Sequence, residues 1–306
     1  MGGEGQAPEQ PIGATAPKAI GSHQHARPFR LGRKPRGHDP RIPKMAAVRR
    51  LPAEYTPQPP AQVDYAAGLP VSLGMALNNQ LGDCTAAAVA HAIQVWSANA
   101  HPPMVTVPDG EVLKLYEATG GYVPGQPATD QGAMEQVVLG YWLKTPVHGN
   151  ELAAFVEVDV ADPAQVRRAV WESGVVYIGF NVPQYLMDSL TDPGSVWDIQ
   201  SAGDQSIVGG HAVIVVGYEP SGDLIVISWG SVYTMTARFW GRFVDEAYAL
   251  ANPAWIERSG RSPAGLTLEQ LRTLMADLDG PMPPSPQRRH RHHRRVKRRA
   301  RAMTAV

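Results

Sequence analysis

Apolar residues along the chain recur in patterns that predict its elements one by one. From Asp83 the run CTAAAVAHAIQVWSANA puts Ala87, Val89, Ala90, Ile93 and Trp96 on one broad apolar face, which predicts a buried helix with Asp83 close to its N-cap. A second helix fits PDGEVLKLYEATGGY, opening at Pro108 and Asp109 and stopping at Gly120 and Gly121, and a third fits DQGAMEQVVLGYWLKT. After Gly149 the pattern changes period. AFVEVDV alternates, PAQVRRAVWESG is a short amphipathic helix, and VVYIGFNV is a β-branched buried strand. GGHAVIVVGYEPSGDLIVISWG reads as two strands joined by a turn from Glu219 to Gly222, a hairpin by its turn residues. Helices first and strands second predict an α+β fold of two facing halves, one helical and one an antiparallel sheet or barrel.

Composition adds the domain plan. Residues 1–62 are rich in Pro, Gly and Arg and carry no sustained apolar period, so they read as an extended arm. Residues 63–280 form the body, and 281–306 hold a Pro-rich linker, GPMPPSPQ, followed by a basic tail. Hydrophobic residues make up 43% of the chain and charged ones 18%, enough apolar material for a proper core. The first twenty residues lack an apolar signal region, and no apolar stretch approaches the roughly 20 residues that span a bilayer. The expectation is a cytoplasmic protein, or a virion-associated one if the chain is of phage origin, with no membrane partner.

The formal net charge of zero hides a segregation of signs. Residues 1–50 carry ten bases and three acids, and the tail from Arg288 to Arg301 carries nine bases and no acid. Between them lie nine bases and 25 acids, so the body is acidic and both ends are basic. The tail has no aromatic residue to stack on bases, so a nucleic acid or an acidic assembly surface would be held through phosphate or carboxylate contacts without base readout.

The chain has one cysteine, Cys84, which leaves no internal disulfide and no Cys-rich metal site. No cofactor or metal is expected. A thiol on the first turn of a helix lies among unpaired N–H groups at the positive end of the helix dipole, where the thiolate is favoured. Such a nucleophile needs a base close in space. His91 lies two turns along the same helix, about 10 Å away by helix rise, and reads as an ordinary helix histidine. His211 opens a strand after Gly209 and Gly210, with no side chains beside it to block a partner, and is the better candidate.

Taken together, NNQLGDCT (Asn78 to Thr85), GGHAVIVVGY (Gly209 to Tyr218) and ISWG (Ile227 to Gly230) resemble blocks of the papain-like cysteine peptidases, in the bacterial and phage-like branch. The resemblance covers about Leu77 to Leu250. It implies a papain-like fold, Cys84 as nucleophile, His211 as its imidazole partner, and acyl transfer from a peptide or amide substrate to water. It implies an oxyanion hole made by the Cys84 backbone N–H and the side-chain amide of Asn78, which replaces the family's longer glutamine; Gln80 is a poor substitute. The family's third catalytic residue, an asparagine that orients the imidazole, falls on Ile227, which cannot hydrogen-bond. Ser228 beside it has a hydroxyl but, on a strand, is expected to face the other way. Ile227 therefore leaves open an alternative: a degenerate papain-fold protein of phage or prophage type, kept for binding or assembly.

Overall fold

The computed structural model describes residues 29–49, 57–190 and 194–279. The basic tail and residues 1–28 of the arm lie outside the described residues. In chain order the elements are α1 (Met45–Val48), β1 (Val63–Asp64), α2 (Cys84–Ala100), α3 (Asp109–Gly120), α4 (Glu135–Lys144), β2 (Ala154–Glu157), α5 (Pro163–Ser173), β3 (Val176–Pro183), α6 (Gln184–Ser189), β4 (Val196–Trp197), β5 (Ile207–Tyr218), β6 (Leu224–Ser228), β7 (Ser231–Met235), α7 (Ala237–Phe243), β8 (Val244–Ala251), α8 (Pro253–Ser259) and α9 (Leu268–Met275). The fold is α+β. One sheet runs in the order β2-β8-β3-β5-β6-β7-β4, with β1 also on β5, and its pairings are antiparallel except that of β4 with β7. Among the described residues no helix is long and apolar enough to cross a membrane.

Alanine explains where α2 lies. Ala86, Ala87, Ala88, Ala90 and Ala92 are all buried, so the helix is apolar all round rather than along one stripe. Small side chains let β5 pack closely on one side and α3 and α8 on the others. Tyr177 of β3 ties the sheet to the helix start, its OH donating to the Thr85 carbonyl at 2.8 Å. The helix α3 stops at Gly121, whose left-handed φ of 72° suits glycine. The helix α5 starts on Asp162, whose carboxylate accepts from the N–H groups of Ala164 and Gln165.

One boundary differs from the sequence expectation. The helix α4 starts at Glu135, not at Asp130. The Asp130 carboxylate accepts from the Gly82 N–H at 3.0 Å and from the Tyr116 hydroxyl at 2.5 Å. Gly132 takes a φ of 71°, which no right-handed helix allows. Tertiary bonds thus hold DQGAM as a loop beside the turn that carries Cys84.

The β5–β6 hairpin carries the irregularity that matters most. Its pairs run Tyr218 with Leu224 and Gly217 with Ile225, then jump to Val215 with Val226 and Ile214 with Ile227. The extra residue, Val216, is a β-bulge, and it inverts which face each side chain of β6 takes beyond it.

Candidate active site

Cys84 is the first residue of α2, and its Sγ accepts the backbone N–H of Ala212, on β5, at 3.4 Å. The sulfur therefore lies against the residue that follows His211. Both residues are 1% exposed. Burial pushes the Cys84 thiol up to about 12, against the opposing N–H groups of Ala212 and Gly32, and the same desolvation holds the His211 imidazole down to about 3, helped by the positive charge of Arg33. In this closed state thiol and imidazole are both neutral at pH 7.

The imidazole is held from edge and face. Its Nε2 lies 2.7 Å from the Ser228 hydroxyl, and Trp229 stacks on the ring with centroids 4.1 Å apart and planes 15° from parallel. Phe180, the register partner of His211 on β3, meets the ring edge-on at 5.7 Å. Among the described residues Nδ1 has no hydrogen-bond partner.

The expected geometry of Ile227 and Ser228 is corrected here. Ile227 pairs with Ile214, three residues from His211 and so on the opposite face of β5, and is fully buried there. Ser228, one residue on, faces the imidazole. Without the bulge at Val216 the pairing would slip by one and Ile227 would face the imidazole instead. The signal in the sequence was Gly217, since a glycine inside a strand marks a bulge or a close approach. A Cβ at Gly217 would lie 2.4 Å from the Val63 carbonyl oxygen.

Asn78 also differs from the oxyanion role expected of it. Its Nδ2 donates to the Leu81 carbonyl at 3.1 Å and to Asp83 Oδ1 at 3.2 Å, which uses both amide hydrogens inside the turn. Asp83 does not cap α2 with its side chain, and burial pushes its carboxyl well above the usual carboxylate range. Gln80 is exposed. His91 is 2% exposed and its Nδ1 lies 2.8 Å from Gln94 Oε1, a core histidine held within its own helix.

The cleft itself is filled by the arm. Three main-chain bonds clamp it: Arg33 N–H to the Gly210 carbonyl at 3.0 Å, Lys34 N–H to the Ala133 carbonyl at 2.9 Å, and Ala133 N–H to the Gly32 carbonyl at 2.9 Å. Gly32 passes so close to the nucleophile turn that a Cβ there would lie 1.7 Å from the Gly82 carbonyl oxygen. Trp229 grips the segment as well, its Nε1 donating to the Arg30 carbonyl at 3.3 Å and its ring meeting Phe29 at 4.9 Å. Further along, Arg36 pairs with Glu157 at 2.7 Å and Arg49 with Glu172 at 3.0 Å, so the basic arm is complementary to the acidic body. The sequence announced the arm's charge, not its seat.

No family model and no curated protein sequence matches the chain. Solved structures do. Xylellain, a cysteine protease from Xylella fastidiosa, is similar over 73% of this chain and 96% of its own, with a TM-score of 0.55 at 17% identity. Procathepsin B of Trypanosoma congolense is similar over 73% of this chain and 86% of its own, at TM-score 0.49 and 12% identity. Digestive procathepsin L 3 of Tenebrio molitor is similar over 71% of this chain and 76% of its own, at TM-score 0.47 and 13% identity. With its helical half headed by α2, its mostly antiparallel sheet and its match to xylellain, the chain has the papain-like fold.

Proposed function

We propose that the chain is a papain-like cysteine peptidase or amidase working through Cys84 and His211, and that residues 29–34 hold it latent. The ring of His211 carries this reading: Nε2 is tied to Ser228 at 2.7 Å, Nδ1 has no partner among the described residues, and the next residue's N–H is on the Cys84 sulfur. With the arm withdrawn, water enters the cleft, and the desolvation that keeps both groups neutral is relieved. The thiol proton then passes to Nδ1. The thiolate attacks the substrate carbonyl carbon, and the oxyanion accepts a hydrogen bond from the Cys84 backbone N–H on the open first turn of α2. The imidazolium protonates the leaving amine as the C–N bond breaks. Water, deprotonated by Nδ1, attacks the thioester and releases the carboxylic acid and the thiol.

One observation favours the second reading, a papain-fold binding or structural protein of phage type without turnover. Both side-chain protons of Asn78 are engaged, so the hole has one donor where the family has two. Loss of one such donor costs about 10²- to 10³-fold in kcat, a slow enzyme rather than none. Hydrolysis of a fluorogenic peptide and ester panel separates the two readings. Turnover abolished by Cys84→Ala supports the peptidase, and no turnover above that of Cys84→Ala supports the binding protein.

A further inference from the structure

The side chain of Arg33 enters a pocket between the two halves of the molecule. Glu135 comes from α4, Asp245 and Glu246 from β8, and Gly179 and Asn181 from β3. Arg33 Nε donates to Glu246 Oε1 at 2.7 Å, and Nη2 lies 2.5 Å from the same oxygen and bonds Asp245 Oδ1. Glu135 Oε1 is 3.5 Å from Nε. Glu135 is 1% exposed, and neither of its carboxyl oxygens has a hydrogen-bond partner among the described residues.

The walls are set in advance of the cation. Tyr248 donates to Glu246 Oε2 at 2.9 Å and accepts from Gln136 Nε2 at 2.9 Å, while Asn181 Nδ2 donates to Asp245 Oδ2 at 3.0 Å. Space is set too. A Cβ at Gly179 would lie 2.1 Å from Arg33 Nε and 2.4 Å from Glu135 Oε1. The three carboxylates do not form a metal-ligand grouping. Glu246 and Asp245 both bond the guanidinium, and a buried carboxylate without a cation is costly. A planar fork of N–H donors suits them better than a point charge.

The backbone of Arg33 shows how a peptide would bring such a group. It bridges Ala133 and Gly210 through main-chain bonds that any extended peptide can make, and the residue before it, Gly32, packs against Gly82 of the turn that carries Cys84. We propose that this is the specificity pocket of the cleft. It selects peptides with an arginine side chain next to the segment lying on Cys84, and Arg33 is its resident mimic. The proposal rests on the peptidase reading for its cleavage step and stands apart from it for binding.

Full-length Gly32→Ala/Arg33→Ala displaces the arm from the nucleophile turn and empties the pocket for two assays. In the first, fluorescence anisotropy follows binding of FRLGRKPRGHDPR, the sequence of residues 29–41, and of the same peptide with citrulline fifth. Binding at least ten-fold tighter with arginine, and loss of that difference on adding Glu246→Gln, is the expected result; equal affinity overturns the pocket. In the second, fluorogenic peptides carry Arg, Lys, Leu or Gln at successive positions, and one position should favour Arg at least ten-fold in kcat/KM. Turnover without that preference, or with a preference untouched by Glu246→Gln, overturns the pocket and leaves the peptidase standing. Discrimination in binding with no turnover of any peptide supports the pocket and overturns the peptidase. If that variant fails to fold, Gly32→Ala/Arg33→Gln, which removes the cation and keeps a polar side chain, is put through the same assays under the same criteria.

Discussion

The Ser228 hydroxyl lies 2.7 Å from Nε2 of His211, on the last residue of β6, and Trp229 immediately after it stacks on the same ring. Trp229 and Gly230 form the two-residue turn into β7, both with positive φ, 44° and 71°. This turn lets consecutive residues grip one imidazole, one at its edge and one at its face.

Ser228→Ala removes the edge contact and leaves the stack. The expected loss in kcat is about ten-fold, the worth of one buried hydrogen bond, with little change in KM. A shift in the pH profile of kcat/KM should accompany it, since Nε2 loses its hydrogen-bond partner. An unchanged pH profile and kcat would reduce Ser228 to a packing residue.

Ile227→Asn looks from sequence like the restoration of a lost catalytic group. In the fold it buries an amide opposite Ile214 and Val232, on the face of β6 away from the imidazole. The substitution should destabilise the protein by about 2–4 kcal/mol and bring no gain in rate. Thermal denaturation together with initial rates checks both halves. A faster enzyme of unchanged Tm would contradict the register described for β6.

His211 makes stability depend on pH with a definite sign. Its pKa is depressed to about 3 in the folded chain against an ordinary value near 6.5, so between those values the unfolded state binds more protons than the folded one. Stability from this residue therefore falls as pH falls from about 6.5 toward 3, with a slope approaching 1.4 kcal/mol per pH unit. Glu135 acts in the opposite sense, since burial and the neighbouring Glu246 raise its carboxyl well above the usual range. Denaturant unfolding of wild type and His211→Gln, compared across pH 4–7, isolates the histidine as the difference between the two curves.

Asp130 joins the two rims of the cleft. It accepts from Gly82 beside the nucleophile, and its partner Tyr116 accepts from the Gly132 N–H at 2.9 Å beside the arm. Asp130→Ala should cost about 1.5–3 kcal/mol of stability and lower kcat with it, while Tyr116→Phe should have the smaller effect. Equal effects on stability with no change in kcat would make the link structural only.

Local rules made much of the architecture legible. The alanine run after Asp83, the glycines at 120 and 121, and the Glu219–Gly222 turn each reappear at the expected residue, because short-range geometry decides them. Most of the misreadings involve partners distant in the chain. The start of α4 is delayed by Asp130 bonding a turn 48 residues earlier. The faces of Ile227 and Ser228 depend on a bulge that Gly217 hinted at and only pairing defines. Asn78 matches the family position in spacing, yet its short side chain reaches Leu81 and Asp83 within its own turn. The arm reads as extended and basic, but nothing local says that Gly32 fits against Gly82.

That last contact offers the most direct test, because one methyl group undoes it. Gly32→Ala would put a Cβ 1.7 Å from the Gly82 carbonyl oxygen, so the arm must leave the nucleophile turn while Cys84, His211 and Ser228 stay as they are. Alkylation of Cys84 by iodoacetamide, followed by mass spectrometry from pH 4 to 9, should be at least ten-fold faster in Gly32→Ala than in wild type. Its apparent thiol pKa should lie well below the ordinary value near 8.5, and His211→Ala should abolish that depression. A Cys84 that is exposed in Gly32→Ala yet titrates at or above the ordinary value would contradict an activated pair, and labelling no faster than wild type would contradict the latch.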